Sequence, residues 1–118
     1  MTTLVAVPIS PAGSQDAFGD DYDTGQYRDR YKRNITVAAH RIVEHYKNSE
    51  SDNIYLLPWN IVLDPERSFP TTTAATSQYF TDNITRQNNG VHPATTGYYQ
   101  MGDCAWAAMN VLVTNGNA

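Results

Sequence analysis

The chain has 118 residues, 41% of them hydrophobic, which is typical of one folded domain or less and excludes an intrinsically disordered protein. Its formal net charge is -4, and its basic residues are scattered, so nucleic acid is not expected as a partner because a phosphate backbone would be repelled. The single cysteine, Cys104, excludes an intrachain disulfide framework.

The first apolar run, residues 4–7, is not preceded by basic residues and is too short for the apolar core of a signal peptide. No other apolar run approaches the length needed to span a membrane. We therefore expect a soluble protein with no signal peptide and no transmembrane segment. The source compartment stays open.

Residues 4–9 form a nearly continuous apolar run, which predicts a strand covered on both faces. Residues 14–26 have no apolar period and contain many turn residues, which predicts a surface loop. The acidic residues of this loop do not follow the spacing of an EF-hand, so we interpret them as solvated carboxylates rather than as a cation site. They are Asp16, Asp20, Asp21 and Asp23.

Apolar residues recur every three or four positions over residues 27–47, which predicts an amphipathic helix. Its basic residues are interpreted as a solvated face rather than a docking surface for an acidic partner. His40 and Glu44 share a face, but no third ligand accompanies them, so no metal site is predicted. The apolar positions are Tyr31, Ile35, Ala38, Ile42 and Tyr46.

Residues 54–57 predict a second buried strand, and the intervening helix makes the pair a right-handed, parallel β-α-β unit. Residues 61–63 are interpreted as a continuation of this strand or as a short separate one. Residues 65–88 predict a long loop rich in threonine, serine and asparagine. Because ligands bind outside the carboxyl ends of parallel strands, this loop and residues 10–26 are candidates for the rim of a substrate site.

The last predicted helix covers residues 96–113 and ends at Asn115 and Gly116. Inside it, Gly102-Asp103-Cys104 has the order of a nucleophile block, but such a block belongs on the turn after a strand. We therefore interpret Cys104 as a small packed residue. The apolar stripe of the helix consists of Tyr98, Met101, Ala105, Ala108 and Leu112.

A polar loop, residues 88–94, delivers His92 to the start of this helix. Pro93 suits the first helical turn, where no backbone donor is needed, and Thr95 or Thr96 could accept from the free N–H groups there. Asn89 lies three residues before His92, close enough for its amide oxygen to orient the ring. An imidazole so held could take a proton from a serine hydroxyl and return it to a leaving alkoxide.

Residues 88–101 resemble the last sequence block of the SGNH (GDSL-type) esterase and lipase family, which reads Asp-x-x-His-Pro and continues into a final helix. The order of the segments before it, with Asp64 closing residues 61–63, is similar to the second half of that fold. The resemblance implies an α/β, flavodoxin-like, three-layer fold in which parallel strands carry flanking helices, with residues 1–118 as a single partial domain. It also implies ester hydrolysis through a serine acyl-enzyme without metal or cofactor, with His92 as the general base and Asn89 beside it.

The chain lacks the Gly-Asp-Ser nucleophile block, the oxyanion glycine and the Gly-x-Asn-Asp block of the family, and Asn89 stands where the family has aspartate. Two or three strands and two helices also cannot cover both faces of a parallel sheet. We therefore expect a second chain, or a missing N-terminal half, to supply the serine, the oxyanion donors and more strands. The resemblance implies an ester substrate, often an O-acylated carbohydrate or a lipid.

Two alternatives stay open. The chain could be a non-catalytic structural or docking protein that keeps the hydrolase scaffold, for example in a phage-like particle. It could instead be a carbohydrate-binding module that stacks sugars on aromatic side chains, although these are more simply explained as core and rim residues. Those side chains are Trp59, Tyr79, Tyr98 and Tyr99.

Overall fold

A parallel β-α-β unit opens the structure, a computed structural model that describes residues 1–22 and 27–116. Strand β1, Thr3–Ala6, pairs in parallel with β2, Ile54–Leu57, and helix α1, Arg28–Tyr46, lies between them in sequence. The predicted strand, helix and parallel pairing are confirmed. The first strand is shorter than expected, although the N–H of Val7 still donates to the carbonyl of Leu57 at 2.9 Å.

The chain returns from α1 to β2 through a single turn of 3-10 helix, Glu50–Asp52. Asn53 follows with φ of +58°, in the left-handed region that asparagine tolerates better than most residues. This turn starts the second strand beside the first, because the N–H of Thr3 donates to the carbonyl of Asn53 at 2.8 Å.

The prediction of a strand at residues 61–63 is wrong. Helix α2, Trp59–Val62, occupies this position as a single turn. The carbonyl of Pro58 accepts hydrogen bonds from the N–H groups of Ile61 and Val62 and so closes the turn. A run of three apolar residues is too short to show a periodicity, so the sequence could not distinguish a strand from one turn of helix at this position.

The prediction of a loop over residues 65–88 is also wrong. Strands β3, Thr71–Ser77, and β4, Phe80–Gln87, form an antiparallel hairpin with an irregularity in register near its tip. Its threonines are β-branched and favour strands, but nearly all of its described side chains are exposed, so no apolar alternation marked it in the sequence. The hairpin is a second sheet, separate from the parallel pair.

Residues 14–26 are not simply a surface loop. Residues Gln15–Tyr22 form 3-10 helix with a kink at Phe18, while residues 23–26, including Asp23, lie outside the described residues. Ala17 and Phe18 are buried and belong to a hydrophobic core cluster. The segment therefore contributes to the core. The many turn residues beside Ala17 and Phe18 made the sequence look like a surface loop. The remaining buried members of the cluster are Ala12, Leu63 and Phe69.

Helix α3, Thr95–Thr114, is the last described element and confirms the predicted final helix. Its residues Met101 and Leu112 pack inward, but an apolar stripe on another side is exposed to solvent. The radius of gyration is 17.7 Å, well above the roughly 13.5 Å of a compact domain of this length. The fold is therefore extended, and several large hydrophobic side chains stay exposed. The exposed stripe, which we call the α3 stripe, consists of Tyr99, Trp106, Met109 and Val113.

Across residues 1–22 and 27–116, no helix has the length and apolar character that crossing a membrane would require.

Candidate functional site

His92 lies at the rim of an apolar cleft of about 350 Å³, which we call the His92 cleft. The side chain is exposed, and its loop leads directly to the start of α3. Residues from the end of β1, from α1, from α2 and from α3 all contribute to the lining. Besides His92, the lining consists of Ala6, Pro8, Ile9, Tyr31, Ile35, Trp59, Val91, Pro93, Tyr98 and Met101.

The His92 cleft lies at the carboxyl ends of the two parallel strands. Ala6 is the last residue of β1, and Trp59 follows the end of β2 by two residues. The indole N–H of Trp59 donates to the backbone carbonyl of Met101 at 3.1 Å, which ties α2 to α3 at this edge. Parallel sheets bind ligands at such an edge, because loops and helix starts converge there.

Asn89 holds the backbone of the histidine loop rather than the imidazole ring. Its Oδ1 accepts hydrogen bonds from the N–H groups of Val91, at 3.0 Å, and of His92, at 2.8 Å. This is an Asx turn, in which the side chain replaces a backbone acceptor. Within residues 1–22 and 27–116, the ring of His92 has no hydrogen-bond partner, so the pairing between Asn89 and the ring that we expected is not formed here.

The start of α3 is fixed by close packing and not by the threonines that we expected to cap it. The N-cap residue is Ala94, which makes no side-chain cap bond, and Pro93 lies one residue before it. The N–H of Ala94 instead donates to the carbonyl of Ser68 at 2.8 Å. A Cβ on Gly97 would lie 2.6 Å from that same carbonyl oxygen, so only glycine allows this approach.

A small polar network holds Ser68 beneath the helix. The hydroxyl of Ser68, a residue only 1% exposed, donates to Oε1 of Gln100 at 2.7 Å, and the N–H of Asp64 donates to the same oxygen at 3.1 Å. Ser68 is therefore a structural residue and not an accessible nucleophile. Sequence reasoning missed Ser68 and Gln100, because neither stands in a motif and their contact crosses 32 positions.

The chemistry that this arrangement offers is that of a single imidazole. An exposed imidazole beside an apolar cleft can accept a proton from a hydroxyl that is brought within hydrogen-bond distance. Within the described part of the chain, no serine hydroxyl is paired with the ring, so a nucleophile would have to come from elsewhere. A second, smaller cleft of about 290 Å³ lies on the other side of the loop, between His92 and Phe18.

Other candidate groups are not assembled into sites. Cys104 is partly buried within α3. His40 and Glu44 are exposed on α1, and the hydrogen bond that Lys47 donates to Glu44 at 2.7 Å holds the pKa of this carboxyl below its ordinary value. Over residues 1–22 and 27–116, there is no group of three or more histidine, cysteine or acidic residues suited to a metal ion.

The two segments that we expected at the rim of the site, residues 10–26 and 65–88, differ in how they lie relative to His92. Phe18 lines the smaller cleft beside His92, and Ser10 lines a third cleft that adjoins the His92 cleft. No residue of the β3–β4 hairpin contributes to the lining of the His92 cleft. Most of the longer segment is thus folded into the hairpin, and Asn88, which follows the hairpin, lines the smaller cleft beside His92.

Comparison of the chain with protein-family models, with curated proteins and with solved structures gave no match.

Proposed function

We propose that the chain is the C-terminal part of an SGNH-type ester hydrolase and that His92 is its general base. The fold expected for the complete enzyme is the flavodoxin-like, three-layer arrangement, of which the parallel β1–β2 pair is a part. The observation that carries the proposal is the position of His92 at the rim of an apolar cleft, outside the carboxyl ends of β1 and β2.

In the proposed reaction, His92 removes the proton from a serine hydroxyl as the oxygen attacks the ester carbonyl. The imidazolium then returns the proton to the departing alkoxide, which leaves an acyl-serine. Water, activated by the same imidazole, releases the acid and restores the serine. Such proton transfer contributes on the order of 10² to 10⁴ in rate, so loss of His92 should be large and measurable.

A partner chain, or a missing N-terminal half, would supply the serine, the oxyanion donors and further strands. A two-stranded parallel sheet is marginal by itself, because parallel strands are normally buried on both faces. The exposed α3 stripe supports the same view, since isolated apolar side chains are ordinary on surfaces but an aligned row of four is not. The substrate would be an ester, with an O-acylated carbohydrate or a lipid as the expected class.

The test is reconstitution. The chain is mixed or co-expressed with candidate N-terminal halves that carry a Gly-Asp-Ser block, and hydrolysis of a chromogenic acetate ester is measured. We expect activity from the pair, loss of at least about 100-fold in His92→Ala, and no loss in His45→Ala, an exposed histidine on α1. Full activity of the pair with His92→Ala would refute the assigned base.

A non-catalytic docking protein is the second candidate, and the geometry of Asn89 favours it. The Asn89 oxygen is bonded to the backbone of its own loop, and Asn89 brings no charge to stabilise an imidazolium. In serine proteases the corresponding aspartate-to-asparagine change lowers turnover about 10⁴-fold. A stable complex with a partner that lacks a nucleophile serine, together with no ester hydrolysis, would favour this candidate over the enzyme.

A further inference from the structure

A third cleft, of about 310 Å³, adjoins the His92 cleft, and Pro8 and Ile35 line both. We call it the His40 cleft. It follows α1 away from His92, so the two clefts together run beside the helix from Tyr31 to Val43. At 1.5 Å per residue this part of α1 is roughly 18 Å long. The two clefts are therefore neighbours along the helix, and we call them together the groove.

The polar groups of the His40 cleft are hydroxyls, a carboxamide and an imidazole. Ser10 follows β1, Thr36 and His40 lie one turn apart on α1, and Asn60 belongs to α2. Three separate parts of the chain therefore place polar side chains around one opening. Each of these groups can both donate and accept a hydrogen bond, which matches the hydroxyl groups of a ligand better than it matches ions.

The remaining lining argues for the same ligand chemistry. Among residues 1–22 and 27–116, no lysine, arginine, aspartate or glutamate lines either of the two clefts, so neither a phosphate nor a metal cation would find a charged partner among them. Ala39 and Val43 supply apolar surface in the His40 cleft, and Tyr31 and Trp59 supply aromatic surface in the His92 cleft. Sugars present both hydroxyl groups and apolar C–H faces, whereas lipid chains offer no hydroxyl groups for the polar members.

We propose that the groove binds a neutral oligosaccharide and that Ser10, Thr36, His40 and Asn60 form a hydroxyl-binding subsite for it. This binding needs no nucleophile and no partner chain, so it stands whether or not the chain takes part in hydrolysis. Combined with the proposed function, it selects an O-acylated carbohydrate over a lipid. The acyl ester would then lie near His92, and the sugar chain would extend along α1 toward His40.

The test is a titration of the isotope-labelled chain with cellopentaose and with penta-N-acetylchitopentaose, followed by backbone amide resonances in solution. We expect the amides of Ser10, Thr36 and Asn60 to shift with at least one of these two probes. Thr36→Val, which replaces a hydroxyl group by a methyl group, should raise the dissociation constant about three- to tenfold, and His40→Ala should do the same. Both residues are exposed, so both variants should fold.

Two controls separate this binding from the proposed hydrolysis. His45→Ala lies on the same helix outside the groove and should bind as the unmodified chain does. As a second control, both probes carry no ester group, so the titration measures binding independently of hydrolysis. Absence of shifts with both probes would overturn the proposal. It would also be overturned if Thr36→Val and His40→Ala bound the probes as tightly as the unmodified chain does. Tighter binding of a sulfated oligosaccharide than of both neutral probes would overturn it as well.

Discussion

The ring of Phe18 packs directly against the backbone of Gly90, two residues before the proposed catalytic histidine. A Cβ on Gly90 would lie 2.3 Å from Cζ of Phe18, closer than real atoms approach. Phe18 is 2% exposed and belongs to a hydrophobic core cluster, so its ring has little room to move. The histidine loop is therefore set against the core at a point where only glycine fits.

We expect Gly90→Ala to destabilise the fold by about 1 to 3 kcal/mol, because the added methyl group overpacks the site. The matched control is Gly102→Ala, since a Cβ at that helical position meets nothing within 4 Å. The control should raise stability by about 0.5 to 1 kcal/mol, as alanine favours helix over glycine. Chemical denaturation of both variants measures the difference, and equal stability of the two would contradict the packing described.

Gln87 should be a large contributor to the attachment of the hairpin. Its Oε1 accepts from the N–H of Ser14 at 2.8 Å, and its Nε2 donates to the carbonyls of Pro65 and Glu66 at 2.9 and 3.0 Å. The side chain is nearly buried, so water cannot replace these bonds. Gln87→Met keeps the approximate volume but leaves backbone groups without partners.

We expect this change to cost at least about 2 kcal/mol of unfolding free energy. Thr85→Val, at an exposed position on the same strand, should change stability by less than about 0.5 kcal/mol. Urea denaturation of the two variants gives the comparison. A Gln87→Met variant as stable as Thr85→Val would show that the three bonds contribute nothing.

The Asx turn at Asn89 should keep the histidine loop ordered. Asn89→Ala removes the acceptor for the N–H groups of Val91 and His92, so we expect these two amides to exchange hydrogen at least several-fold faster. Asn89→Asp replaces the amide oxygen by a carboxylate oxygen, which can accept the same two hydrogen bonds, and should preserve their protection. Asn88→Ala, an exposed neighbour whose side chain makes no bond within the described residues, serves as the control.

Hydrogen exchange followed by nuclear magnetic resonance measures each amide separately. Unchanged protection of His92 in Asn89→Ala would mean that another contact holds the loop. In a reconstituted hydrolase, Asn89→Ala should also lower activity, because the general base would lose its fixed position.

Glu44 should titrate at a lower pH than an ordinary glutamate. The hydrogen bond from Lys47 is the largest cause of its lowered pKa, and the positive charges of Lys47 and His40 act in the same direction. Because the folded pKa is depressed, the pair stabilises the fold above the ordinary glutamate pKa of about 4.3. This contribution is lost as the pH falls through the lowered value.

Carbon-detected titration of the carboxyl group checks this prediction. Lys47→Met should raise the pKa of Glu44 toward its ordinary value, whereas Lys32→Met, on the same helix but far from Glu44, should leave it unchanged. No rise in Lys47→Met would mean that the hydrogen bond does not form in solution.

The three long-range features of the candidate site could not have been predicted from the sequence. Ser68 and Gln100 are 32 positions apart, and Ser14 and Gln87 are 73 positions apart, yet each pair is bonded directly. No local pattern encodes such contacts, because they depend on where the chain topology brings distant residues. The packing of Phe18 on Gly90 is a further case, since both residues lie in segments that read as loops.

The sequence by itself determined the parallel β-α-β unit, the final helix and the delivery of His92 to the start of that helix. These features follow from apolar periodicity and from turn residues, which act over a few neighbouring positions. Tertiary structure decided that residues 59–62 form a helical turn and that residues 71–87 form a hairpin. Both are held by bonds to distant segments, from Trp59 to Met101 and from Ser14 to Gln87, which local preferences do not encode. The Asn89 bonds are local, spanning two and three positions, but the sequence left the imidazole and the loop backbone as alternative partners for the same side chain.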